Sequence, residues 1–335
     1  MSFKILAPHV FTEAELTGST IALASDWAAS TAYAIGDIVA HAHPVGVSAQ
    51  FSKGEYECVA TIDGTTAPQS TAAPPDSEAF WVYLGPENRH RAFDVQVGVD
   101  QDRVIETVSS NPNGITFDGK ISTPIQGLAL INVDALEGDF TAPTFGGADD
   151  GNGGSIPTTD TDFTFDFLDR SGVASSFFNW LTRPIIKQKN RVFLDLNVVA
   201  GVNFGLDLRA LPLGEPDTGK LVTVGAVVMG HVHDIGTTAL DAGWRLNSRS
   251  FKSFDGIKNS LVRRLPGNSV TCEVKIPDGE AEYVRLLLEQ IDGTAAVFVP
   301  LEDRPDLSVY GVLTNVQTTA KTKEHTFLSI TVERL

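Results

Sequence analysis

The chain has 335 residues, 42% hydrophobic and 20% charged, the composition of a folded protein with a sizeable core rather than of a disordered one. Its 42 Asp and Glu outnumber 25 Lys and Arg, giving a formal net charge of -17 spread along the whole length. That excludes a basic nucleic-acid groove and argues against attraction to an anionic membrane surface, because both require a positive face.

No apolar run approaches the roughly 18 residues of a membrane helix. The opening "MSFKILAPHVFTEAEL" has one Lys, a very short apolar patch and early acids, and is read as no secretory signal. Cys58 and Cys272 lie far apart without CxxC spacing, so neither a disulfide framework nor a zinc site is predicted, and synthesis in a reducing cytoplasm is expected.

Residues 1–24 form an N-terminal segment, followed by a small module over 25–86. The module begins with "DWAASTAYAIGDIVA", where Trp27 and Tyr33 stand among small residues ahead of Gly36-Asp37. A strand over Gly54–Thr61 and a polar loop, "IDGTTAPQSTAAPPDSE", lead to a closing "FWVYLG". From 87 to 240, β-branched or alternating runs at Gly127–Val133, Arg191–Val199 and Leu221–His233 are separated by turn clusters such as "SSNPNG", "GGADDGNGGS" and "LGEPDTG". Short strands with such turns predict a jelly-roll or β-sandwich. Residues 241–335 are read as an α+β unit with strands at Ser269–Ile276, Ala295–Leu301 and Thr326–Glu333. In the last of these, Leu328, Ile330 and Val332 alternate with Ser329, Thr331 and Glu333, so one face is buried.

The clearest helix is "DGEAEYVRLLLEQIDG", 278–293, where Val284, Leu287, Leu288 and Ile291 make one apolar stripe. Asp278 is expected to cap it, Glu280 and Glu282 to favour its positive end, and Gly293 to stop it. "SSFFNWLTRP" suggests a second, short helix ending before Pro184. The predicted fold class is therefore mainly β, with a small β module, a sandwich and a C-terminal α+β unit carrying one clear helix.

Catalytic signatures are weak. His231 and His233 fall on one face of a strand, a possible pair of metal ligands beside Asp234, without a third ligand at fixed spacing. The loop 146–155 has the acid and Gly content of a Ca²⁺ loop but not its order. In "DTDFTFDFLD", Asp162, Thr164, Asp166 and Leu168 share one side and Phe163, Phe165 and Phe167 the other, which reads as a half-buried strand with a wet acidic face. No G-x-S-x-G, P-loop or H-E-x-x-H occurs. No enzyme, metal or cofactor is predicted.

Two resemblances add to this. Trp27, Tyr33, Gly36-Asp37, Val39, the "GEYEC" run with Tyr56 and Cys58, and the closing Trp81 resemble the compact chitin-binding carbohydrate-binding modules. That resemblance implies glycan binding through Trp27, Tyr33, Tyr56 and Trp81, because aromatic faces stack on pyranose C–H groups. The same four residues also suit the core of a tiny sheet. The sequence departs from the family pattern in the loop before the final Trp, which has no aromatic before Phe80, and in a longer loop between Val39 and Gly54.

The second resemblance covers about residues 83–335. "YLGPENRHRAFD", "LALINVDALEG" and the stretch from "VGAVVMGHVHDIG" to "NSLVRR" are similar to structural proteins of bacteriophage tails. It implies a virion protein of the tail tip or baseplate, made in the host cytoplasm and assembled in a ring with copies of itself and other tail proteins, with host surface glycan as a further contact. No nucleic acid or membrane insertion is expected. The alternative is a carbohydrate-active enzyme whose sandwich uses a pair from Asp160, Asp162, Asp166 and Asp169.

Overall fold

The computed structural model describes residues 2–43, 50–65, 71, 73–74, 78–94, 107–109, 114–143, 160–169, 186–187, 189–210, 221–238, 243–247, 251–254, 259–262, 267–301, 308–322 and 324–334. The second helix expected at "SSFFNWLTRP" and the loop 146–155 lie outside these residues. The chain is mainly β. It divides into two compact units, one joining Met1–Pro8 to Val228–Leu335, the other made of His9–Val97 and Val104–Val227.

In the first unit, antiparallel strands follow the order Ala226–Thr238, Ser2–Pro8, Ala296–Val299, Val309–Lys321, His325–Arg334, Gly267–Pro277 and Gly243–Asn247. Thr237 and Thr238 also pair with Lys275 and Val274, so the first six strands close on one another as a barrel. Closure removes the open sheet edge that would otherwise template aggregation. Gly236 sits at the closing corner with φ +141°, and a Cβ there would lie 2.5 Å from the Lys275 carbonyl oxygen. Only glycine lets the backbones approach this closely.

The expected alternation in the last strand is present, with Leu328, Ile330 and Val332 buried. Asp278–Glu280 form a 3₁₀ turn and Ala281–Ile291 an α-helix whose buried face is Val284, Leu287, Leu288 and Ile291, as the stripe predicts. These four join Phe3, Ile5, Ile276, Phe298 and Ile330 in one core. The expected cap is corrected in position: Asp278 opens the 3₁₀ turn, the N-cap position of the helix falls to Glu280, and the Asp278 carboxylate accepts the Thr326 hydroxyl at 3.4 Å. Gly293, at φ +73°, follows the helix, in keeping with its expected role as the stop.

The N-terminal residues are not a free segment. Ser2–Pro8 pairs with Gly230–Thr237 on one side and Val297–Val299 on the other. Lys4 is 9% exposed and Phe3, Ile5 and Leu6 are fully buried.

The second unit is a sandwich with the small module attached. Its five-stranded sheet runs Asp160–Asp166, Glu137–Pro143, Asn203–Arg209, Ile115–Lys120, Gly18–Ser19, all antiparallel. A second layer contains the pair Arg191–Val198 and Ile125–Ile131. Phe193 of that layer meets Phe163 and Phe165 of the first at ring distances of 4.9 and 5.0 Å. The acidic-aromatic strand is thus half-buried as read, with Asp162 and Thr164 outward and Phe165 and Phe167 inward.

Candidate functional site: the aromatic module

The module sheet runs Ser25–Asp26, Ile38–Ala42, Lys53–Cys58, Trp81–Pro86, the first pair parallel and the others antiparallel. Its Gly-Asp motif is explained by turn chemistry. Gly36 takes φ +93°, the Asp37 carboxylate accepts the Ala34 N–H at 2.7 Å, and Gly36 N–H donates to the Cys58 carbonyl at 2.8 Å. Val39, Tyr56, Cys58, Ile62 and Trp81 form the module's core, with Trp27, Tyr33 and Phe80 packed against it.

The four aromatics read as glycan contacts therefore fall into two classes. Tyr56 and Trp81 are each 3% exposed, so their ring faces are turned into the core and not toward a sugar. Trp27 and Tyr33 are half-buried. Tyr33 meets Trp81 edge-on at 5.2 Å, and its hydroxyl bonds the backbone N–H and carbonyl of Ala28 at 2.8 and 3.2 Å. Trp27 meets the His41 ring edge-on at 5.5 Å.

Sequence reading missed Tyr83, which is 43% exposed and, among the described residues, the one exposed aromatic of the module. It lies over Gly54, where a Cβ would stand 2.4 Å from the Tyr83 ring, and beside His43 at 5.5 Å. Partial burial raises its phenol pKa, so the ring stays neutral and apolar. Exposed Ile35, Ile38, Val59 and Val82 add aliphatic surface to the module. Strand parity signals the outer face of Ile38, Glu57 and Val82, which are opposite one another in register and away from Val39 and Tyr56, but not Tyr83, which is the register partner of Tyr56.

A buried polar collar anchors the module. Arg91 donates to Glu55 at 2.6 Å, the Asn88 N–H donates to the same carboxylate at 2.8 Å, and Phe51 stacks on His90 at 4.4 Å. Gln50 donates to the carbonyls of Phe11 and Phe93, both at 2.9 Å. His90 is 1% exposed, and among the described residues neither ring nitrogen has a hydrogen-bond partner. Burial, with help from Arg89, depresses its pKa to about 4, so it is neutral at physiological pH. Burial raises the neighbouring Glu87 carboxyl, whose oxygen lies 3.5 Å from the His90 ring.

Other sequence candidates separate. His231 and His233 have ring centroids 6.4 Å apart, and His233 Nδ1 lies 3.2 Å from the Tyr283 hydroxyl. Among the described residues no group of three or more His, Cys, Asp or Glu is placed to hold a metal ion. Asp166 is bound by Arg191, through its carboxylate at 3.1 Å and its carbonyl. Asp162 is exposed, four residues along the same strand, about 13 Å away. That exceeds the spacing of roughly 5–9.5 Å that carboxylate pairs need for glycoside hydrolysis. The side chains of Asp160 and Asp169 lie outside the described residues. Asp139 and Asp207 stand directly opposite on neighbouring strands, a pairing the sequence reading did not foresee, and Arg209 bridges them.

No family model, curated protein or solved structure matches the chain. A function must therefore rest on the chain's own residues.

Proposed function

We propose that the chain is a structural component of a bacteriophage tail tip or baseplate, assembling with copies of itself and other tail proteins and presenting its aromatic module toward host surface glycan. The observation that carries this reading is the module's place in the chain. A self-contained sheet with its own core follows the N-terminal strand Ser2–Pro8 and is pinned to the sandwich by Glu55–Arg91 and Phe51–His90. Such a rigid mount suits display of a recognition surface on a scaffold. The similarity of residues 83–335 to tail structural proteins points to the scaffold's setting, and the module's resemblance to chitin-binding modules points to the ligand class. Glycan contact falls to the rings that retain exposure: Tyr83 foremost, with the half-buried Trp27 and Tyr33.

Mass spectrometry of gradient-purified particles, with cryo-electron microscopy of their tails, tests the reading. The expected result is the chain at a fixed small copy number at the tail end. Particles lacking the chain would overturn it.

A further inference from the structure

In the C-terminal unit, the strand Val309–Lys321 has one side paired and the other mostly open. His325–Arg334 covers the first side from Gly311 to Lys321. On the second, Ala296–Val299 reaches Val309, Tyr310 and Gly311, and among the described residues no strand continues from there. Residues 314–318 are exposed at every position, although Leu328 and Ile330, the partners of Thr318 and Val316, are buried. Residues 312–318 thus present an open strand edge. Natural edges are blunted by Lys, Pro or bulges. This one, "VLTNVQT", has neither charge nor proline, and the bulges at Thr314 and Thr319 leave 315–318 in regular register.

The open edge borders a groove of about 700 Å³ beside the helix Ala281–Ile291, with an apolar floor of Leu288, Leu313 and Leu328. Asp278, Glu282, Arg285, Glu289 and Asp292 form its rim, at steps of three or four residues that put them on one helix face. At 1.5 Å per residue this stripe is about 21 Å long, close to the roughly 20 Å of residues 312–318 as an extended strand. It holds four acids against one cation, and Arg285 is committed to Glu282 at 2.7 Å and to Glu289.

We propose that this edge takes an extended, basic segment of a partner protein as an added strand. Ladder hydrogen bonds to residues 312–318 supply affinity without regard to sequence, and the groove supplies the selection. Side chains of the added strand that point into the groove meet the leucine floor first and the acidic rim beyond it. Lys and Arg fit that order, with an apolar stem over the leucines and a cationic head among Glu282, Glu289 and Asp292. A second copy fits less well, because pairing the same edge with itself brings two acidic stripes to one sheet. This gives the assembly reading above a surface, and rests on that reading only for the partner being a tail protein.

Titration of the full-length protein with a blocked heptapeptide alternating Lys and Val tests it, by calorimetry and by amide hydrogen exchange. The expected result is binding that weakens at high salt, with slower exchange in residues 312–318. Exchanging each Lys of the peptide for Glu should weaken binding at least about tenfold, as should Glu289→Lys with Asp292→Lys in the protein. Val316→Lys, at a position 38% exposed and so tolerant of the change, should do the same. Methylating the peptide's backbone nitrogens removes its ladder donors and should abolish binding. A wild type that ignores the peptide, a methylated peptide that binds as well as its parent, or unchanged exchange in 312–318 would overturn the proposal. So would a wild type that self-associates in sedimentation velocity and loses this on Val316→Lys, since the edge then belongs to a second copy. Peptide binding by a chain missing from particles removes the tail reading and leaves the edge standing; a chain found in particles that ignores the peptide does the reverse.

Discussion

The module sheet and the C-terminal barrel both bury one face of mainly antiparallel strands, yet they fill that face with different side chains. The barrel and its helix share a core of eighteen buried residues, mostly aliphatic, among those described. The module has five, of which Tyr56 and Trp81 supply most of the volume. A sheet of four short strands cannot assemble enough aliphatic side chains to exclude water, so large rings take over the packing. In so small a domain an aromatic is needed inside before it is free to recognise anything outside. The difference separates two meanings of the same residue type and yields perturbations of decreasing size.

The largest expected effect is in the barrel. Leu287→Asp puts an unpaired carboxylate into the interface between helix and strands, where Leu287 is buried with Val284, Leu288 and Ile291. The cost is on the order of 5 kcal/mol, enough to unfold the C-terminal unit. Circular dichroism should show loss of its cooperative melt. A normal melt would mean that the stripe does not carry the core.

Trp81→Ala is the corresponding lesion in the module, removing a fully packed indole at a cost of about 3–5 kcal/mol. With so few other core residues the module should unfold while the barrel melts normally, as limited proteolysis between residues 25 and 86 would report. Retention of a folded module would show that Trp81 is dispensable for packing, and would reopen it as a contact residue.

The third perturbation is pH, acting on the collar beneath the module. His90 in the fold has a pKa near 4, below the ordinary histidine value of 6.5, because burial disfavours its charged form. Between pH 6.5 and about 4 the unfolded chain takes up a proton that the folded chain refuses, so stability falls as pH drops through this window and levels off below it. The full loss is on the order of 3 kcal/mol. The nearby Glu87, raised by burial, opposes it, since its proton is held more tightly in the fold, whereas Glu13, lowered chiefly by its hydrogen bond to Ser52, adds to the loss at lower pH. Urea unfolding at pH 7 and pH 4.5 should show a smaller drop for His90→Phe, which keeps a ring against Phe51, than for the wild type. Equal drops would place the titrating group elsewhere.

What was legible in the sequence follows the same division. The strand His325–Arg334 and the helix Ala281–Ile291 each have one buried and one wet face, so their periods of 2 and 3.6 are written in the chain. Ser2–Pro8 is buried on both faces, so it shows no alternation and reads only as a short apolar patch. Its partners are more than two hundred residues away, and no local signal announces them. In the module, the motif spacing picked out Trp27, Tyr33, Tyr56 and Trp81, all of which lie in the core or against it. It could not tell which rings are covered, because register alone does not decide it: Tyr56 and Tyr83 are register partners beside an irregularity in the pairing, yet one is buried and the other 43% exposed.

Trp27→Ala should have the smallest effect and discriminates best. Trp27 is half-buried, its backbone N–H donates to the Ala40 carbonyl at 2.9 Å, and its ring meets His41 edge-on. Removing the side chain leaves the backbone bond in place and forfeits part of the ring's burial, about 1–2 kcal/mol. The module's melting temperature should fall by roughly 4–15 °C without collapse. If the Trp27 face also stacks on a sugar, loss of about 1 kcal/mol weakens chito-oligosaccharide binding around fivefold. Tyr83→Ala is the companion, because its more exposed ring makes a binding change easier to separate from a change in stability. Weaker binding in both variants makes both rings glycan contacts. Weaker binding in Tyr83→Ala alone assigns the stacking surface to Tyr83 and returns Trp27 to the core. Calorimetry that finds no oligosaccharide binding in the wild type removes the glycan reading, and leaves the module's aromatics as the means by which a four-stranded sheet excludes water.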